Sequence, residues 1–247
     1  MSKISSITKT GASEPFQLQV ARGQIQGHSV QNIFGYNVSV STGSFIPVWE
    51  LPQAYTYPTS ALNMTVTTNV TADVGNIAII TGLDSNWDII SEAVPVNLTA
   101  TATATTQKFL RINNVLYLNG TANDGFIKVT NGAVVYGGVR PRNGVSQSAI
   151  YSVPRQHSFY LNRISAFSND STSNKPAIFR NNTQNVESGL FVNVARSTFN
   201  GVLNIDRQYP FKYTEKTDIQ FQLQSLSGTH EMSTFGEGVL VQEEIDQ

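Results

Sequence analysis

The chain has 247 residues, no cysteine and a formal net charge of −1, with 13% charged residues against 40% hydrophobic. A globular domain usually has roughly 25% charged residues; here Asn, Thr, Ser and Gln take their place. This composition excludes a disulfide framework and Cys-ligated zinc. It also excludes a basic nucleic-acid surface: residues 1–145 hold 8 Lys/Arg and 7 Asp/Glu, and residues 146–247 hold 8 and 10, so the halves carry +1 and −2.

The length allows two β domains of ordinary size or one large sandwich. Residues 1–15 read as a polar arm ending at Pro15. The first sixteen residues, MSKISSITKTGASEPF, lack an apolar run of signal-peptide length, so a product made in the cytoplasm is expected. No stretch reaches the roughly 18 consecutive apolar residues of a membrane helix, and no membrane partner is expected.

Phe16–Ala21 alternates, with Phe16, Leu18 and Val20 on one side, and predicts a strand. A glycine- and aromatic-containing segment follows through Phe34, Tyr36, Phe45 and Trp49. Tyr55-Thr-Tyr-Pro58 reads as extended, because proline pushes its predecessor out of the helical region. Leu62–Val70 alternates with β-branched residues, and Asn76–Thr81 and Ile89–Val96 flank GLDSNWD as a hairpin. Thr99–Thr106 (TATATATT) suits an edge strand or an exposed loop. Phe109–Ile112 and Val115–Leu118 bracket Asn113-Asn114, and an Asn131-Gly132 turn separates Phe126–Val129 from Val134–Tyr136. Turn residues crowd Gly137 to Gly144, together with Arg140 and Arg142, and mark the best domain boundary. Strand patterns resume at Ala149–Val153, Phe159–Phe167, Ala177–Arg180, Leu190–Ala195, Phe199–Ile205 and Thr234–Val241, with a polar loop at 169–176 and a polar tail from Gln242.

Phe211–Leu226 shows the recipe most plainly. Ile219, Phe221 and Leu223 alternate with Gln220, Gln222 and Gln224, which predicts a strand with one buried face and one solvent-facing amide face. Such a face could pair with other copies. No segment sustains a helical apolar stripe over ten residues. The expectation is an all-β fold of two jelly-roll-like sandwiches, 16–145 and 146–247, each of roughly seven or eight strands, with very little helix.

Candidate chemistry is sparse. Asp84, Asn86 and Asp88 have the spacing that opens a calcium loop, but Ile89 and Pro95 stand where the EF-hand needs Gly and Glu, so a plain turn is expected. Asp84, Asp88 and Glu92 would not cluster on strands. His28, His157 and His230 are far apart in sequence, with no H-x-H or H-E-x-x-H metal spacing and no G-x-S-x-G nucleophile setting for a triad, so surface or structural roles are expected. The N-x-S/T triplets at Asn37, Asn63, Asn69, Asn97, Asn119, Asn169 and Asn181 follow from composition. Trp49, Tyr55, Tyr57 and Trp87 suit a core or interface, with a sugar-binding platform as the alternative. No catalytic, cofactor or metal residue is assigned, and an enzyme is not expected.

Several stretches, in order and spacing over about residues 16–241, resemble a family of virion structural proteins from tailed phages, especially those infecting marine cyanobacteria. They are Phe16-Gln-Leu-Gln-Val-Ala-Arg-Gly23, Gly27-His28, Tyr55-Thr-Tyr-Pro58, Gly82-Leu-Asp84, Phe109-Leu-Arg-Ile-Asn113, Ala149-Ile-Tyr-Ser-Val-Pro154 and Glu215-Lys-Thr-Asp-Ile219. The resemblance implies an all-β, non-enzymatic part of a bacteriophage particle, made in the host cytoplasm and located in the virion. It implies a homo-oligomer touching the major capsid protein or neck and tail proteins. Capsid decoration is the first expectation; a neck, tail or fibre-attachment role, or binding of a host surface glycan, is the alternative.

Overall fold

The computed structural model describes residues 14–169, 173–185 and 189–243. Most of the predicted arm, the tip of the 169–176 loop and the end of the C-terminal tail fall outside them. The chain is nearly all β, about 60% strand and 5% helix, in several sheets with a sandwich-like arrangement. In chain order the elements are α1 (Phe16–Ala21), β1 (His28–Val40), β2 (Ile46–Pro47), β3 (Leu62–Thr68), β4 (Ile77–Leu83), β5 (Ile89–Pro95), β6 (Asn97–Leu98), β7 (Ala104–Phe109) and β8 (Arg111–Leu118). They continue with β9 (Ile127–Asn131), β10 (Val134–Val139), β11 (Ile150–Ser152), β12 (His157–Ser168), β13 (Pro176–Asn185), β14 (Val192–Tyr213), β15 (Thr217–Ser225) and β16 (His230–Gln242).

One sheet runs β1-β16-β12-β14-β13-β15-β11, with β2 added on β15. Its folding-over is the work of β14. Residues 201–213 pair with β12, whereas 192–200 pair with β13. Gly201 sits at the changeover with φ of +79°, and its N–H bonds Lys175 O at 3.3 Å. A side chain there would be strained and would meet Asn174. The first core lies inside this fold: Phe159, Leu161, Ile164 and Leu240 from one side, Phe179, Ile219, Phe221 and Leu223 from the other. Each such side chain contributes roughly 1.5–3 kcal/mol by leaving water.

The second core gathers residues between 64 and 139, including Met64, Ile80, Phe109, Val115, Ile127 and Val129. It is lined by the sheet β10-β9-β3-β6, with β7 on β3, and by the sheet β5-β4-β8. Strands β3 to β10 thus serve one core, and the remaining strands serve the other.

The pairing departs from a division at 145/146. β1 runs antiparallel to β16 from His28↔Val241 to Val40↔His230, and β2 pairs with Gln222 and Leu223 of β15. Ile33, Val40, Ile46 and Val48 are therefore buried in the first core with the C-terminal strands. Hydrophobic alternation says that β1 has a buried side, but not whose core receives it. Gly35 fixes the answer sterically, since a Cβ there would come 2.2 Å from Val48 O and 2.5 Å from Ala149 Cβ.

Other expectations change for local reasons. Phe16–Ala21 is a helix, not a strand. Leu18 and Gln19 N–H groups bond Pro15 O at 3.0 and 3.1 Å, Arg22 N–H bonds Leu18 O at 3.0 Å, and Gly23 at φ +66° ends the turn. Proline before and glycine after are helix punctuation that outweighs six residues of alternation. Only Val20 of the three apolar residues is buried. β8 continues through Asn113-Asn114, because the register slips between Thr81 and Gly82 and leaves Asn113 as a bulge. The two strand patterns at 190–205 belong to the single strand β14.

The largest correction concerns β15. Its amide face is not solvent-facing: Gln220 and Gln222 are 4% and 6% exposed. β15 lies between β13 on one edge and β11 and β2 on the other, and residues on both of its faces are buried, with Gln224 half-buried. The amides are satisfied within the chain. Gln220 donates to the Tyr57 hydroxyl at 3.2 Å, Gln222 to Gln220 Oε1 at 2.6 Å, and Gln224 to Thr42 O at 2.7 Å. Arg180 donates to Gln222 Oε1 at 2.5 Å. They specify the fold and are closed to another copy.

Candidate functional site

The cores are joined through Arg111, which opens β8, and Asp218 of β15. Arg111 donates through Nε to Asp218 Oδ1 at 2.9 Å and through Nη2 to Oδ2 at 2.8 Å. Its Nη1 reaches Pro58 O at 3.1 Å and Leu110 O at 2.9 Å, and Ser152 donates to Asp218 Oδ1 at 2.5 Å. The guanidinium lies between the rings of Tyr57 and Trp87, 4.7 and 4.8 Å from their centroids. The planar cation thus meets two π faces and a matched carboxylate fork.

This arrangement places all four predicted aromatics. Trp49 packs edge-on against Tyr55 with centroids 5.0 Å apart, and Tyr55 against Tyr57 at 4.9 Å. Trp49 and Trp87 are buried. Burial pushes the hydroxyls of Tyr55 and Tyr57 well above their ordinary pKa. Trp87 holds a φ of +67°, a conformation costly for a bulky residue, and its ring is fixed against Arg111. These rings form a structural joint around Arg111, with Trp49 and Trp87 buried and Tyr55 and Tyr57 half-buried.

The predicted calcium-like loop is the β4–β5 hairpin turn, with Leu83 paired to Ile89. Asp84 Oδ1 accepts from the N–H groups of Asn86 and Asp88 at 2.8 and 3.0 Å. Asp88 in turn holds Arg155 bidentately at 3.1 and 3.0 Å, and Glu92 accepts from the Thr106 and Gln107 backbone at 2.8 Å each. The three carboxylates face different partners. Among the described residues no group of three or more His, Cys, Asp or Glu could hold a metal.

The histidines are less isolated than their spacing indicates. His28 and His157 line one small cleft with Gly27 and Gln242, because β1 and β12 both pair with β16. Their Nδ1 atoms bond Gln26 O at 3.0 Å and Arg155 O at 2.7 Å.

Two buried carboxyls escaped sequence reading. Asp73 accepts from Asp124 and Gly125 N–H at 2.9 and 2.7 Å, Thr68 Oγ1 at 3.0 Å and the Tyr117 hydroxyl at 3.1 Å. Burial works to raise its pKa, but these donors outweigh it and the net direction is downward. Glu50 has the opposite balance. It is 1% exposed, and burial lifts its pKa to about 7 against the weaker pull of Arg140. A lone acid in a loop carries no sequence signal of this kind.

An uncharged cleft of about 520 Å³ opens where the cores meet, between β1, the β4–β5 hairpin, β8 and the 145–148 segment. Its exposed surface is more apolar than polar: Phe34, Ile89, Val145, Pro154 and Leu240 line it together with Ser29, Asn32, Asn114 and Ser148, and no Asp, Glu, Lys, Arg or His does.

Comparison with known proteins adds little to this geometry. No family model matches the chain, and no curated protein matches it. Among solved structures, it is similar to that of infectious bursal disease virus Gx strain, at 11% identity over 87% of this chain and 72% of that one, with a TM-score of 0.24. The structure of infectious bursal virus derived T=1 particles gives 11% identity, 88% and 70% coverage, and a TM-score of 0.21. TM-scores of this size do not establish a shared fold.

Proposed function

We propose that the chain is a non-enzymatic structural component of a tailed-phage virion that decorates or cements the capsid exterior through homo-oligomeric contacts. The sequence resemblance supplies the particle. The observation that carries self-association is β14, a 22-residue strand whose residues 201–213 pair with β12 along one edge. Among the described residues no strand pairs with the other edge of 201–213, which leaves it to strand addition. Its flank also presents apolar side chains to solvent: Leu190 is 71% exposed, Val192 54% and Tyr209 75%. A subunit that works by repeated contacts keeps such surface, whereas a monomer buries or charges it.

Sedimentation of the purified chain is expected to show a homo-oligomer that dissociates in Val192→Lys/Val194→Lys. Both valines are exposed, so the monomer's stability should stay within about 0.5 kcal/mol. A wild-type monomer at high concentration would defeat the self-association reading. Particles from the source that lack this polypeptide by mass spectrometry would defeat the virion reading.

A further inference from the structure

We propose that the cleft between the two cores is a binding site for a neutral oligosaccharide, with the exposed ring of Phe34 as its stacking platform. The inference does not rest on the virion reading. It stands on three properties of the cleft.

The first is size and place. A volume of about 520 Å³ at the junction of two cores falls within the ~300–1,000 Å³ of small-molecule sites, which favour such junctions. The second is a lining without charge, in which apolar surface predominates and hydroxyls and amides are set among it. An ionic ligand would leave water and find no counter-charge, and a wholly apolar ligand would strip water from amides without replacing the hydrogen bonds. A ligand that carries hydroxyls on its rim and C–H groups on its faces meets both conditions. A neutral sugar is that ligand.

The third property is prepared geometry. Asn113, the bulge of β8, donates to Ser152 O at 2.9 Å and accepts from Ser152 N–H at 3.0 Å, which fixes the cleft floor to β11. Ser146 Oγ accepts from Val115 N–H at 3.0 Å and donates to Asn114 Oδ1 at 2.8 Å. The Asn114 oxygen is thereby committed, and its amide N–H groups are left to donate. Among the described residues, none hydrogen-bonds the side chains of Ser29, Asn32 or Ser148. Phe34 is 39% exposed on β1, next to Asn32 two residues back on the same side of the strand, so a stacked ring would have an amide at its edge. Positions of stacking and bonding groups are thus set before any ligand arrives, which lowers the ordering cost of binding.

The test uses the full chain. It is applied to a printed array of neutral, sialylated and sulfated oligosaccharides, and the strongest neutral sugar is then titrated calorimetrically. Binding to neutral members is expected, without preference for the anionic ones. Phe34→Ala and Asn114→Ala should each bind about tenfold more weakly, with unchanged melting temperature because both side chains are exposed. Phe167→Ala, equally exposed but outside the cleft, should bind like wild type. No signal from any neutral sugar, binding confined to anionic sugars, or unchanged affinity in Phe34→Ala would each overturn the assignment. Loss of oligomerisation in the β14 variant with intact sugar binding would separate this site from the self-association edge.

Discussion

Asp218→Ala is expected to destabilise the protein by about 3–5 kcal/mol, the usual consequence of removing one partner from a buried ion pair. Asp218 is fully buried and Arg111 is 7% exposed. Without the carboxylate, the guanidinium keeps its contacts with Pro58 O, Leu110 O and the rings of Tyr57 and Trp87. None of these neutralises it, and at 7% exposure it has little contact with water. The double variant Arg111→Met/Asp218→Leu should lose less than Asp218→Ala alone, since an apolar pair leaves no orphaned charge. Urea denaturation of the singles and the double gives the coupling energy directly. A cycle with no coupling, or a double variant worse than the sum of the singles, would show that the pair is incidental to the joint. The exposed pair Arg163–Asp206 is the natural control: its removal should cost at most about 1 kcal/mol and should matter less in salt.

The same residues show how far the sequence could be read. Strand content was legible because β4, β5, β12 and β16 follow period-two patterns, and the β4–β5 turn announced itself through Asp84 and Asn86. The glutamines of β15 could not be placed. Alternation with Ile219, Phe221 and Leu223 shows that two faces differ, but an amide face can be wet or internally bonded. Its partners, Tyr57, Arg180 and Thr42, lie far off in sequence. Long-range pairing also decided that β1 joins β16. The aromatics at 49, 55, 57 and 87 suit a core or interface, or a sugar platform, on sequence grounds, and nothing in the sequence points to Arg111 as the cation between Tyr57 and Trp87. An arginine opening a strand looks like any other until its fork meets Asp218 on a sheet of the other core. The cleft between the cores is invisible in the sequence for the same reason: Phe34, Asn114 and Ser148 come from three separate segments. Physical alternation sets local shape, and the functional surfaces here arise where distant segments meet.

Glu50 offers the second large effect, and its sign runs against the usual one for a carboxyl. Its Oε1 accepts from Gln147 N–H at 2.5 Å, while among the described residues Oε2 has no partner. Arg140 donates to the Glu50 main-chain carbonyl instead of pairing with the carboxylate. Burial thus raises the folded-state pKa to about 7, from 4.5 for the ordinary side chain. Between those values the folded protein holds a proton that the unfolded chain has released. Stability from this group is therefore fully present below about pH 4.5 and is lost as pH rises through about 7, levelling off above. The total change is on the order of 3 kcal/mol. Tyr36, pushed up to about 12 by burial and by Glu231, keeps its proton throughout that range. Glu50→Gln retains the acceptor for Gln147 and removes the charge. It should match wild type near pH 4, exceed it by up to ~3 kcal/mol at pH 8, and lack the decline between. Urea midpoints of both proteins from pH 4 to 8 measure the difference curve, in which titrations of other groups cancel. A flat difference curve would mean that Glu50 ionises freely in the folded state.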